Sequence, residues 1–144
     1  MLRPFGLFSG LTVLLLSGCK TVEVDLALRG IEPLEAPAVQ ALFSEAKAQY
    51  SGKFYRWDAK FRADGTVSAT MISDIGVETG TGMWEVNQAG ELCRAWNNGW
   101  GAGRYGCGRI YRDGDDIVMV QTSGATGLTG YDVFQVNKLV PAAR

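Results

Sequence analysis

The chain has 144 residues, with 14 Lys and Arg against 15 Asp and Glu and a formal net charge of −1, so it lacks the basic excess that a nucleic-acid surface needs. It contains no histidine, which removes Ser-His-Asp and Cys-His catalysis and every imidazole metal site. Its length and its 47% of hydrophobic residues suffice for one domain with a real core.

The first residues read as a targeting segment rather than as structure. Arg3 precedes an apolar run from Phe5 to Leu16, and small residues then lead to Cys19, the order of a secretory signal. A run of about a dozen residues is too short for a bilayer span, which needs about 20. Leu16-Ser17-Gly18-Cys19 resembles the bacterial lipobox at all four positions. The resemblance implies cleavage after residue 18, lipid attachment to Cys19, and the membrane as a partner through that lipid. Lys20, rather than Asp, resembles an outer-membrane sorting signal, which implies an outer-membrane lipoprotein of the cell envelope; a periplasm-facing domain is the expectation, though Lys20 does not choose between that and the cell surface. Removing residues 1–18 takes away only Arg3 among the charges, leaving 13 basic against 15 acidic residues. With Cys19 occupied by lipid, Cys93 and Cys107 have one pairing open to them in an oxidising compartment, so a disulfide is expected.

Residues 19–34 read as the lipid anchor followed by a first strand, because residues 21–28 alternate. Val22, Val24, Leu26 and Leu28 share one face, and Thr21, Glu23 and Asp25 the other. Residues 35–144 form the globular domain. Pro37 suits the first turn of a helix in which Val39, Leu42, Phe43, Ala46 and Tyr50 recur at helical spacing, with Gly52 placed to stop it. That stripe is expected to pack on the domain's own sheet.

From Lys53 the period changes to 2. Tyr55, Trp57, Ala59 and Phe61 alternate with charged residues, and a three-residue loop of Ala63, Asp64 and Gly65 sets Phe61 against Val67, Ala59 against Ala69 and Trp57 against Met71. The same construction at Gln88, Ala89 and Gly90 sets Val86 against Leu92, Trp84 against Arg94 and Gly82 against Trp96. If Cys93 directly opposes Cys107, Leu92 meets Gly108. A two-residue Asp113-Gly114 turn would then pair Ile110 with Ile117 and Gly108 with Met119, whereas a three-residue turn would put Val118 and Val120 in those places. Residues 131–138 supply the last strand after a Gly-rich loop. All these registers agree on one apolar face that includes Trp57, Phe61, Val67, Trp84, Leu92, Trp96, Ile110 and Met119. Ala95, Tyr105, Val118 and Val120 form an apolar patch on the opposite face, which the helix stripe could cover.

Several motifs carry less chemistry than their letters suggest. Gly101-Ala102-Gly103-Arg104-Tyr105-Gly106 spells the dinucleotide fingerprint but leads into a strand, where the fingerprint requires a helix, so no cofactor is expected. Asp113-Gly114-Asp115-Asp116 lacks the further carboxylate of a calcium loop, so no metal is expected. Asp58 and Glu85, the carboxylates considered for catalysis, fall on the polar face, and the reading is not an enzyme. Arg94 stands on the apolar face beside Trp84 and between Leu92 and Trp96. Either it stacks on tryptophan at an open barrel mouth, favouring an acidic or aromatic ligand, or it reaches the rim and is solvated. Trp84, Arg94 and Trp96 are therefore the candidate ligand-binding residues. Trp100, at the tip of the loop between the two cysteines, is the candidate anchor for an envelope protein partner in an inhibitor or assembly role.

Gly82-Met83-Trp84 resembles the Gly-x-Trp of lipocalins, which implies architecture alone because the motif falls late in this chain. Lysozyme-inhibitor lipoproteins are similar in architecture, but Ala125-Thr126-Gly127 stands where their Lys or Arg and Tyr would follow Ser123-Gly124. The helix, Phe61-Arg62-Ala63-Asp64-Gly65-Thr66, Gly80 to Val86, Leu92-Cys93-Arg94-Ala95-Trp96 and Tyr111-Arg112-Asp113-Gly114-Asp115 together resemble a family of short exported bacterial proteins. That resemblance implies a small β-rich envelope domain and brings no catalytic residues with it. The expected fold is mainly β, an antiparallel meander or small lipocalin-like barrel of seven to eight strands with one N-terminal helix.

Overall fold

A computed structural model describes residues 21–100, 105–124 and 130–140. Residues 1–20, where the signal segment and the lipid-bearing Cys19 are expected, lie outside the described residues. Eight antiparallel strands close into a barrel in plain sequence order: β1 (Ala46–Ser51), β2 (Tyr55–Phe61), β3 (Thr66–Ser73), β4 (Gly76–Val86), β5 (Leu92–Trp96), β6 (Gly106–Asp113), β7 (Asp116–Ser123) and β8 (Tyr131–Lys138). Two short helices, α1 (Val22–Leu28) and α2 (Ala36–Phe43), precede them. The protein is thus mainly β, a small closed barrel.

Turn chemistry sets the registers. Gly65 and Gly90 take φ of 85° and 80°, the left-handed positions that end their three-residue loops, and the pairs Phe61 with Val67, Trp84 with Arg94 and Gly82 with Trp96 form as expected. Cys93 directly opposes Cys107 and is bonded to it. The β6–β7 turn differs from expectation. Its central residues are Gly114 and Asp115, so Asp113 faces Asp116 and Ile110 faces Met119 rather than Ile117. The positive φ of 62° falls on Gly114 at the first central position, as primed turns demand, while both oxygens of Asp113 accept from Arg29 at 2.9 and 2.8 Å. Each partner moves by two residues, which leaves the inward-facing set unchanged.

That inward set is the core. Phe61, Val67, Trp84, Leu92, Ile110, Ile117, Met119 and Phe134 are buried within the barrel, joined by Val39 and Phe43 from α2. Phe43 meets Phe61 edge-on at 5.0 Å between centroids and Phe134 at 6.2 Å, so α2 stoppers one end of the barrel.

The helical stripe expected to run on to Tyr50 stops at Phe43. Ala46, Ala48 and Tyr50 belong to β1, which pairs with both β2 and β8 and so closes the barrel. Ala46 and Tyr50 fit a period of 2 as well as one of 3.6, and the ladder hydrogen bonds available on both sides decide between them. The break falls at Glu45, whose φ of 52° is left-handed, and its carboxylate accepts from the Ala63 amide at 2.8 Å. Lys138 then caps the exposed carbonyls at the helix end, donating to Ala41, Leu42 and Ser44.

The expected first strand at residues 21–28 is instead α1. Thr21 caps it, accepting from the Val24 amide at 3.4 Å, and Glu23 and Asp25 occupy the favourable first turn. Helical winding puts Val22 and Leu26 on one side and leaves Val24 and Leu28 in solvent. The buried side lands on Tyr111, Val118 and Val120, so α1, and not α2, covers much of the outer apolar patch. Tyr105 stays exposed. Ion pairs flank the contact: Glu23 accepts from Arg109 at 2.7 Å and from the Tyr111 hydroxyl at 3.0 Å, and Arg29 bridges Asp25 and Asp113.

Phe43→Ala should destabilise the fold by about 3–5 kcal/mol, since the ring is wholly buried among facing aromatics and the barrel cannot collapse into the void. Urea denaturation of the two proteins measures it. Reducing the Cys93–Cys107 bond, which spans 14 residues, should cost about 3 kcal/mol, read as a lower urea midpoint with reductant present.

Candidate functional site

α2 fills one end of the barrel, and the opposite end, the mouth, is where the chain's polar and aromatic residues converge. The mouth is bounded by the β1–β2 connection, the β3–β4 turn and the loop after β5. β2 brings Trp57, β5 brings Arg94 and Trp96, and β8 brings Asp132, all on the inward parity of their strands.

The loop after β5 folds back over this end. Trp100 stacks edge-on with Trp96 at 5.2 Å between centroids, and its indole N–H donates to Glu78 at 3.0 Å. The Asn98 amide donates to the Thr79 carbonyl at 3.2 Å, and its oxygen accepts from the Trp100 amide at 3.3 Å. The ring lies so close over Gly80 that a Cβ there would stand 2.8 Å from it. Trp100 is consequently a half-buried wall of the mouth and not a projecting anchor. The rest of the fingerprint-like stretch, residues 101–104, lies outside the described residues.

Arg94 keeps its expected place opposite Trp84. Trp84 itself turns toward the stoppered end, where its indole donates to the Arg62 carbonyl at 2.8 Å and its ring meets Phe61 at 5.6 Å. It is core, not a mouth residue. The Arg94 guanidinium reaches across the barrel interior to β7 and donates to the Met119 sulfur at 3.3 Å. A Cβ at Gly108 would stand 2.6 Å from the Met119 methyl and 2.9 Å from the Val120 carbonyl oxygen, so the glycine leaves room for both. Among the described residues no carboxylate lies within 4.0 Å of the guanidinium.

Burial pushes the Arg94 pKa down, opposed by the charge of Asp132. Asp132 stands opposite Met119 in the ladder. Its own burial raises its pKa, and Arg94 works against that rise. The two charges therefore feel each other across a gap without forming an ion pair. Tyr50 and Tyr55, with rings 5.0 Å apart, flank the same end, and the Tyr55 phenol is raised chiefly by burial. Sequence reading missed Asp132. Its one available signal was the parity it shares with Phe134 and Val136.

The other carboxylates that drew attention are tied down on the outer wall. Asp58 accepts from Gln49 at 2.8 Å and pairs with Lys47 at 3.7 Å, and Glu85 accepts from the Tyr105 hydroxyl, holding that phenol up at about 12. Asp113 is held by Arg29. Among the described residues no three His, Cys, Asp or Glu side chains converge as a metal site.

Compared with protein-family models, curated proteins and solved structures, the chain matches none.

If burial raises Asp132 and Arg94 alone opposes it, Arg94→Ala should move the Asp132 titration still higher. Carboxyl-carbon NMR across acid pH would follow it, with the wild-type midpoint above the ordinary value of about 3.9.

Proposed function

We infer that the protein is a lipid-anchored envelope lipoprotein, held to the outer membrane through Cys19, whose barrel mouth binds a small ligand carrying an acidic group next to an aromatic or apolar moiety. One observation carries the ligand reading: Arg94 holds a cation inside the barrel with, among the described residues, no carboxylate at ion-pair distance, on the inward face that also carries the partly buried Trp57, Trp96 and Trp100. An interior charge without a close partner is costly, and an anionic ligand would supply the missing charge and hydrogen-bond acceptors. The tryptophans would enclose the ligand's apolar part. Asp132, across the gap, would favour a donor or cationic group on the same ligand and reject a dianion placed against it.

Binding through the Trp100 loop by an envelope protein is the weaker reading, because that ring is occupied in covering Gly80 and Trp96. The reading includes no catalysis. The tethered carboxylates of the outer wall do not face the mouth, and no histidine exists to move protons.

The lipid anchor rests on Leu16-Ser17-Gly18-Cys19. The ligand rests on Arg94, and native mass spectrometry tests it on residues 20–144 exported to the periplasm and kept oxidised. A bound mass that leaves on denaturation is expected. Arg94→Ala should lower its occupancy by about tenfold in affinity, equivalent to about 1.4 kcal/mol, with the fold intact by circular dichroism. A bare protein mass from both proteins would remove the ligand reading.

A further inference from the structure

We propose that the mouth end of the barrel rests on the lipid bilayer, with Phe54 and Ile75 entering its interfacial region. This rests on the lipoprotein reading above and adds an orientation to it.

The first observation is an exposed apolar pair of loop tips. Phe54 is 74% exposed in the β1–β2 connection, Ile75 is 91% exposed in the β3–β4 turn, and Val77, just inside that turn, is 65% exposed. The two tips are neighbours, because Tyr55 pairs with Ser73 and Ser73 with Gly76. Turn positions are ordinarily polar, and a two-residue turn of Asp74 and Ile75 gains nothing from an isoleucine in water. The ammonium of Lys53 lies 5.2 Å from the centre of the Phe54 ring, which puts a cation at headgroup level beside an apolar tip.

The second observation is the direction from which the chain enters. Glu23 at the start of α1 contacts Arg109, and Arg29 just past its end contacts Asp113, beside the β6–β7 turn at the stoppered end. α1 therefore runs parallel to β6, and its first residue points toward the mouth. Cys19 stands two residues before Thr21, a length of chain that reaches no further than about 7 Å. Thr21, the first described residue, therefore stands at the mouthward end of α1, and the lipid of the lipoprotein reading would be attached within that reach of it; the mouth is also the end that carries Phe54 and Ile75. A lipid surface is the occupant that satisfies both observations at once. The ligand mouth then opens onto the membrane, so its cargo would be drawn from amphiphiles at that surface.

The test uses the full-length acylated protein in vesicles of phosphatidylethanolamine and phosphatidylglycerol. Variants F54C, I75C and D115C are each labelled with a polarity-sensitive fluorophore after the native disulfide has formed, and spin-labelled lipids serve as quenchers. Residue 115 lies in the turn at the stoppered end. Labels at 54 and 75 should be quenched at the shallow depth of interfacial side chains, about 5–10 Å, and the label at 115 should not. Quenching at 115, or at none of the three, overturns the orientation. Mass spectrometry of the amino-terminal peptide is read first: a Cys19 without acyl groups sinks the lipoprotein reading and this one with it. An acylated Cys19 with unquenched tips sinks this one alone.

Discussion

Eight strands closed on themselves enclose a space just wide enough for side chains, and that space has to be filled by the chain's own atoms or by a guest. This barrel fills its two halves differently. At one end α2 drives Val39 and Phe43 between the strands, and Phe61, Phe134, Leu92 and Ile117 close around them with essentially no exposure. Everything else follows from that stopper. Because Phe43 must enter the barrel, α2 ends early and the chain reverses sharply at Glu45. β1 can then begin in time to pair with β8 and shut the cylinder. Toward the other end the inward positions hold Arg94, Asp132 and half-buried tryptophans, a composition that packs poorly by itself.

What could be read from the residues was whatever local chemistry decides. Gly65 and Gly90 each end a three-residue loop, and a shift of one residue would have exposed every large side chain on the neighbouring strands, so registers such as Phe61 with Val67 and Trp84 with Arg94 had one consistent answer. The disulfide extended the chain of registers by one more strand. Periodicity failed where two periods share their residues. Val22 and Leu26 fit a strand face and a helix face alike, and so do Ala46 and Tyr50. The first was decided by a cap at Thr21 and by an outer patch that needed cover, the second by a ladder between β2 and β8 that needed a strand. Neither deciding partner is close in sequence.

The candidate site was legible to the same extent. Arg94 could be placed inside the barrel from the loop at Gly90, but the direction of its side chain could not, because that depends on the Met119 sulfur across the next two strands. Trp84 shares its parity and its ladder position, yet its indole N–H finds the Arg62 carbonyl and turns it toward the other end. Trp100 looked free because loops usually are. Its hydrogen bond to Glu78 and its seat on Gly80 join residues twenty or more positions apart.

Among the described residues the seam between β5 and β6 is the thinnest in the barrel. There Leu92, Cys93 and Arg94 pair with Gly108, Cys107 and Gly106, and beyond them the Leu34 amide takes up the freed Ile110 carbonyl at 2.7 Å. The disulfide sits in the middle of those three pairs and acts as a rivet. Without it the cylinder has a natural place to unzip, giving an open sheet with two raw edges, the form most prone to pair with a neighbour. Oxidation and closure thus become nearly one event. A chain kept reduced retains a way to stay open, whereas a chain that has met an oxidant has lost its edges.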